Sequence, residues 1–418
     1  METKARAGLA VLRHSNFALY EAQRFLMVAA LEMQSVAVGW QVYEITRRAL
    51  DLGLVGLAQF LPNVFLFLVA GHAADRYSRK NLLFLCNVGF ALCSLLLIAI
   101  TRSQSGTVRP IYAVLVLLGV VRAFNSPAGR SLLPALVPMT VFPQAVAWNS
   151  TIYQAGSILG PALGGLLYAV FRGPGGVYAA SVGVAAVAAC ALLGIRLQPS
   201  FDTAAEPREL DMRSMLAGLD YIWTHKIILG SISLDLFAVL LGGAVALLPV
   251  YAREILHTGP WGLGLLRAAP GAGAALMATF LAYRTLERRV GKTMLLAVGG
   301  FGVATIVFGI SRNLVVSLVA LLLVGAMDMI SVVIRGTLVQ IRTPDSVRGR
   351  VNAVDMIFIG ASNELGQFES GLTAHWFGTV PAVILGGVGT LLIVVLWAWL
   401  FPELRKANQL SPIEQITV

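Results

Sequence analysis

Of the 418 residues, 57% are hydrophobic and only 12% charged, well below the roughly 25% charge of an ordinary soluble domain. A mean hydropathy of +0.78 excludes a soluble globular protein and points to a bilayer. The formal charge of +10 would suit a nucleic-acid binder, but apolar runs of this number and length argue against that partner, so where the charge lies matters more than its total.

A bilayer core needs about 20 mainly apolar residues per helix. By that measure the sequence predicts spans near 17–44, 52–73, 80–101, 110–128, 142–171, 177–196, 227–255, 262–283, 292–311, 313–336, 351–377 and 381–401. The expected fold class is therefore all-α integral membrane, with twelve transmembrane helices. If both termini are cytoplasmic, twenty Lys and Arg at or beyond the span ends fall on the cytoplasmic side, and seven fall on the other: Arg47, Arg48, Arg102, Arg109, Arg172, Arg253 and Arg312. That split obeys the positive-inside rule, and the opposite orientation would violate it. A basic stretch followed by a full-length span gives no expectation of a secretory signal. Cys86, Cys93 and Cys190 fall within spans and read as packing residues, with no loop disulfide and no metal-ligand spacing.

The least hydrophobic segment divides the chain into a six-span block at 1–196, a cytoplasmic linker at 197–226 and a second six-span block at 227–418. Between the second and third spans stands Gly71-His72-Ala73-Ala74-Asp75-Arg76-Tyr77-Ser78-Arg79-Lys80, and Arg284-Thr285-Leu286-Glu287-Arg288-Arg289-Val290-Gly291-Lys292 echoes it at the matching place of the second block. With hydrocarbon on both flanks, residues 71–80 must form a tight cytoplasmic hairpin. Gly71 would let two helices approach closely, Asp75 would sit against helix N-termini or a nearby cation, and the basic residues would anchor at phospholipid headgroups. On those terms the hairpin need be no more than a topological anchor. In the fifth span, Gly156, Gly160 and Gly164 form one smooth face for close packing, while Pro161, before Gly164-Gly165, interrupts the backbone ladder. Generic small-residue packing accounts for that face as it stands.

These two motifs resemble those of the major facilitator superfamily. The segments Gly119-Val120-Val121-Arg122-Ala123-Phe124-Asn125-Ser126-Pro127-Ala128-Gly129-Arg130-Ser131-Leu132-Leu133-Pro134-Ala135-Leu136-Val137-Pro138 and Thr343-Pro344-Asp345-Ser346-Val347-Arg348-Gly349-Arg350-Val351 resemble its enterobactin-exporter-like and macrolide-efflux-like branch. The likeness runs through nearly the whole chain. It implies two six-helix bundles related as parallel repeats and rocking about a cavity lined mainly by spans one, four, seven and ten. It also implies that Gly71, Asp75, Arg76, Arg79 and Lys80 form a latch, made in the outward-open state and broken on the way inward. Gly156, Gly160, Pro161, Gly164 and Gly165 match the signature typical of antiporters and exporters. Two departures are Ser78, where the family usually has Gly, and Ala147, where its longer signature has a further Gly. Branch members differ widely in cargo, so the likeness names no substrate.

Charges at bilayer depth cost about 2.5 to 3.5 kcal/mol each on insertion scales and are functional candidates by default. Glu32, Arg122, Asp328 and Glu364 fall near mid-depth of their spans, with Asp235, Arg335 and Asp355 nearer the cytoplasm. Glu32 is the first candidate for proton coupling, because burial disfavours the charged form of a carboxylate and an approaching cation such as Arg122 restores it. A permanent structural pair of Glu32 and Arg122 is the alternative. Asp235 and Glu364 are further proton-coupling candidates, with interdomain hydrogen bonding the alternative for Glu364. Asp328 and Arg335 are two turns apart and share a face, which fits a structural network as well as a substrate contact. Glu21 and Arg24 read as a local pair.

The expected protein exports an amphipathic, drug-like or siderophore-like molecule by proton antiport. Glu32, Arg122 and Asp328 would meet the substrate, with Trp40, Phe124 and Phe237 as stacking surfaces. A lipid or lysolipid translocase of the same fold and a non-transporting membrane receptor remain open. No Gly-x-Ser-x-Gly elbow, phosphate loop or histidine cluster is present, so no enzyme activity, cofactor or metal is expected. The expected setting is the inner membrane, as a monomer, with both termini cytoplasmic and with substrate, protons and phospholipid as partners.

Overall fold

A computed structural model describes residues 11–103, 106–196, 212–284 and 289–407. Among these residues every regular element is helical. The principal helices are α1 (Ser15–Thr46), α2 (Ala49–Arg76), α3 (Arg79–Arg102), α4 (Arg109–Leu132), α5 (Phe142–Phe171), α6 (Pro174–Gly194), α7 (Met212–Thr224), α8 (Lys226–Gly242), α9 (Gly259–Tyr283), α10 (Val290–Ile310), α11 (Leu314–Arg342), α12 (Asp345–Phe377) and α13 (Thr379–Leu400). Eleven helical stretches among the described residues are long and apolar enough to cross a bilayer. The twelfth expected crossing, α12, has ample length at 33 residues. It falls short in hydropathy because Asp345, Arg348, Arg350, Asp355, Glu364 and Glu369 lie along it. Large apolar side chains on the outer faces stay exposed, Phe65 by 77% and Leu296 by 76%, as lipid-facing positions must.

Local signals bound the helices. Arg47 closes α1 in the left-handed conformation (φ 54°), its N–H donating to the Tyr43 carbonyl. Ser78 caps α3 by accepting from the Asn81 N–H at 3.4 Å, and Asn313 caps α11 by accepting from Val315 and Val316. The seventh crossing, expected as one helix over 227–255, is broken: α8 stops at Gly242, and tighter and wider turns carry the chain through Ala244–Leu247, Leu248–Val250 and Tyr251–Ile255. Gly242, Gly243 and Pro249 weaken the helical ladder here. The Gly243 carbonyl released by the break accepts from Ser370 Oγ at 2.7 Å, which satisfies it without water.

The chain forms two compact units. Unit 1 comprises residues 1–47, 58–210 and 259–268, and unit 2 comprises 48–57, 211–258 and 269–418. In unit 1, α1 packs on α5 and α6, and α3 on α4 and α6, around Phe17, Tyr20, Leu83, Leu132 and Leu192. In unit 2, α10 packs on α11 and α13, and α8 on α12 and α13, around Leu234, Met294, Ile334, Leu338 and Trp397. A second apolar cluster of Ile222, Ile228, Ile232, Val339, Val351 and Val354 seats the short α7. Tyr221 adds a hydrogen bond to the Arg342 carbonyl at 2.9 Å. Residues 197–211 of the expected linker and 285–288 of the hairpin echo lie outside the described residues.

Candidate functional site

Unit 2 gathers four charged side chains from three helices. On α11, Asp328, Ser331 and Arg335 follow at intervals of three and four residues, so they share one stripe. Arg335, 3% exposed, donates from Nη1 to Asp355 Oδ1 of α12 at 2.5 Å and reaches Asp235 Oδ2 of α8 at 3.4 Å. Ser331 Oγ donates to Asp235 Oδ1 at 3.1 Å. The guanidinium therefore bridges a carboxylate of the largely aliphatic α8 and one of the more polar α12, and an unpaired charge left buried there would be very costly. Arg335 Nε stays buried without a partner.

Asp328 completes the group differently. With Asp235, Ser331, Met327 and the α10 residues Val298 and Phe301, it lines a small space with room for roughly one water molecule. Among the described residues it has neither a hydrogen bond nor an ion pair. The shared face of Asp328 and Arg335 is as expected, whereas the partners that engage Arg335 come from other helices.

In unit 1 the structure does not bring Glu32 and Arg122 together. Glu32 lies where α1 crosses α5, and a Cβ added at Gly160 would meet its Cβ at 2.7 Å. It carries no ion pair among the described residues. Arg122 Nη1 donates to Gln59 Oε1 at 2.8 Å. Trp40 is buried edge-on to Tyr168, with ring centroids 6.2 Å apart, and Tyr168 donates to Glu44. Phe124 sits half-buried on α4. Phe237 lies against Trp397 at 5.3 Å, two residues and thus about half a helical turn from Asp235, so it is not part of the charged group. In unit 2, Glu364 accepts from Gln367 Nε2 at 3.2 Å.

Glu21 accepts from Asn149 Nδ2 at 2.9 Å, and the Arg24 guanidinium lies 5.6 Å over the Tyr153 ring, so both members of the expected local pair engage α5. Sequence reasoning passed over Arg267, a lone cation in α9, which donates to the Ser35 carbonyl of α1 at 3.4 Å. A single Arg in an otherwise apolar run was its available signal.

The hairpin and the glycine face both serve close packing inside unit 1. Arg79 Nη1 donates to the Ser131 carbonyl at 2.9 Å and Lys80 Nζ to the Ile195 carbonyl at 2.5 Å. Each cation thus meets the negative end of a helix, α4 or α6. Arg76 is exposed; the side chain of Asp75 lies outside those described, and Gly71 lies in the last turns of α2. A Cβ would meet Val28 at 2.8 Å from Gly156, Met33 at 2.7 Å from Gly164, and Gly264 of α9 at 2.8 Å from Gly165. The face therefore lets α1 approach α5 at backbone distance. Pro161 lies where α5 meets α9, its carbonyl against Gly264.

The profile of the transmembrane secretion effector family matches residues 6–416. Similar proteins include the enterobactin exporter EntS of Citrobacter koseri, 28% identical over 414 residues and covering 96% of this chain and 95% of that protein. EntS of Escherichia coli O157:H7 is 29% identical over 413 residues with the same coverage. Among solved structures, the nucleoside transporter NupG aligns with a TM-score of 0.65 at 13% identity, over 94% of this chain and 99% of its own. A bacterial homologue of the human lysosomal transporter Spinster, inward-facing and unoccupied, aligns with a TM-score of 0.66 at 13% identity, over 94% and 96%. At such identities these structures establish a shared fold alone.

Proposed function

The chain belongs to the transmembrane secretion effector family of the major facilitator superfamily, and on that premise we propose that it exports an amphipathic small molecule, siderophore-like or drug-like, in exchange for protons. The observation that carries the coupling is the charged group of unit 2, in which the buried Asp235 and Arg335 meet the half-buried Asp328 and Asp355. Charges held at that depth are retained against a desolvation cost of several kcal/mol per ion, which a role in changing charge state explains. The names of the enterobactin exporters support a catecholate-like cargo. Glu32, Arg122 and Glu364 stay candidates for proton or substrate contact, with Trp40, Phe124 and Phe237 as apolar surfaces.

In this reading two six-helix blocks, 1–196 and 227–418, alternate access around a central site, with α12 as the twelfth crossing and both termini in the cytoplasm. The chain lies in the inner membrane as a monomer. The hairpin at 71–80 latches the cytoplasmic side, and the helix-five glycines give α5 its close partners. The test is reconstitution into proteoliposomes with an imposed pH gradient, following a catecholate siderophore and, separately, ethidium. Uptake of either probe driven by an inward-acid gradient is expected. Movement indifferent to the gradient would remove the antiport, and a copurifying lipid moved in place of both probes would shift the reading to a lipid translocase.

A further inference from the structure

The geometry points to Asp328 as the residue that carries the exchanged proton, with Arg335 as the positioning cation that responds to it. This rests on the antiport reading above and goes further in naming the residue that is protonated.

Groups from four helices bear on Asp328. From α8 comes Asp235, a second carboxylate lining the same one-water space, already engaged by Ser331 and Arg335. From α11 comes Arg335, whose Nη atoms are committed to Asp355 and Asp235. From α12 comes Asp355, which holds Arg335 away by its short hydrogen bond. From α10 come only Val298 and Phe301, which offer no charge and no hydrogen bond. Asp328 is thus the one carboxylate of the three with no hydrogen-bond or ion-pair partner among the described residues. Ionising it would place a third negative charge beside a single cation in a space too small for a hydration shell.

The same site contains the means to accept that charge. Arg335 Nε–H is buried and unpartnered, on the same stripe of α11 as Asp328. Loss of the Asp328 proton to water leaves a carboxylate that this spare donor can turn toward, loosening its hold on Asp235 of α8 or Asp355 of α12. Proton release would then be felt by two neighbouring helices through one guanidinium. Return of the proton to Asp328 restores the bridge between Asp235 and Asp355.

Dicyclohexylcarbodiimide, which consumes the proton of a carboxylic acid in apolar surroundings and leaves an N-acylurea, tests this on the unaltered protein. In membrane vesicles, peptide mass spectrometry should find the adduct on Asp328 in acid medium, fading as the pH rises, with Asp235 and Asp355 unlabelled. Labelling of Asp235, Asp355 or Glu32 in its place, or none at any pH, would overturn the assignment. In infrared difference spectra the protonated-carboxyl C=O band should vanish in Asp328→Asn and return, displaced, in Asp328→Glu; a band that persists in Asp328→Asn would overturn it equally. Arg335→Lys, which lacks the Nε donor, should move the pH at which the band disappears, while a purely structural arginine would leave it in place. Failure of antiport itself would show as gradient-independent transport by the wild type, whatever the labelling shows.

Discussion

Among the described residues, the side chains that hydrogen-bond between α1, α3 and α6 of unit 1 are neutral, whereas those between α8, α11 and α12 of unit 2 include an arginine and its carboxylates. On α3, Asn87, Ser94 and Thr101 stand at seven-residue intervals, two turns apart, and each meets a glutamine of α1. Gln23 donates to Asn87 at 3.3 Å, Ser94 to Gln34 at 2.7 Å, and Gln41 to Thr101 at 3.0 Å, while Tyr178 of α6 donates to Gln41 at 2.7 Å. Such rungs fix the register of two helices at small cost, because neither end carries a charge to desolvate. The unit 2 group desolvates an arginine and its carboxylates for little net stability. The contrast separates two reasons for burying polarity: neutral rungs fix helix register, and a charged group is what the proposed proton exchange would require.

Removing the guanidinium is the strongest way to break that comparison. Arg335→Ala leaves Asp235 and Asp355 buried and uncompensated, a loss of about 3–5 kcal/mol, and should appear as a large drop in the midpoint of thermal unfolding in detergent. Neutralising the bridge together, as Arg335→Gln with Asp235→Asn and Asp355→Asn, should recover most of that stability but none of the gradient-driven transport. Next in size is Gly164→Val on the far side of α1. Its Cβ would press on the Met33 backbone 2.7 Å away, and overpacking of this kind costs about 1–3 kcal/mol. Lower thermal stability with the unit 2 carboxyl chemistry unchanged is the expected result.

Much of this was legible in the sequence, for identifiable reasons. Hydropathy located eleven of the twelve expected crossings among the described residues, since water-free surroundings leave few alternatives to an apolar helix. The chain order Asp328, Ser331, Arg335 gave the shared face, because helical periodicity is local. The bridge itself was not legible, since Asp235, Arg335 and Asp355 come from three helices and no intrahelical spacing specifies which neighbour a guanidinium reaches. The same limit explains Glu32 and Arg122: equal depth suggested a pair, but Gly160 draws α5 against Glu32 while Gln59 takes Arg122. The interruption of the seventh crossing had a visible signal in Gly242, Gly243 and Pro249 that the apolar count overrode. The carbonyl contacts of Arg79 and Lys80 depended on where α4 and α6 end, which no local pattern specifies.

Smaller effects sharpen the contrast from the neutral side. Lys80→Ala removes a cation from the carbonyl end of α6, worth about 0.3–1 kcal/mol, a modest fall in unfolding midpoint that added salt should not reproduce in full. Smallest is the middle rung. Gln34 is 1% exposed and its Nε2 has no partner, so the rung uses only the Gln34 oxygen and the Ser94 hydroxyl. A double-mutant cycle with Gln34→Leu and Ser94→Ala should return a coupling of about 0.6 kcal/mol, the scale of interhelical hydrogen bonds in membranes. The double variant, with both polar ends gone together, should be nearly as stable as wild type, and gradient-driven transport should be retained. If that variant kept its fold but lost transport, the neutral rungs would be working parts as well, and chemistry confined to the charged group of unit 2 would no longer account for coupling.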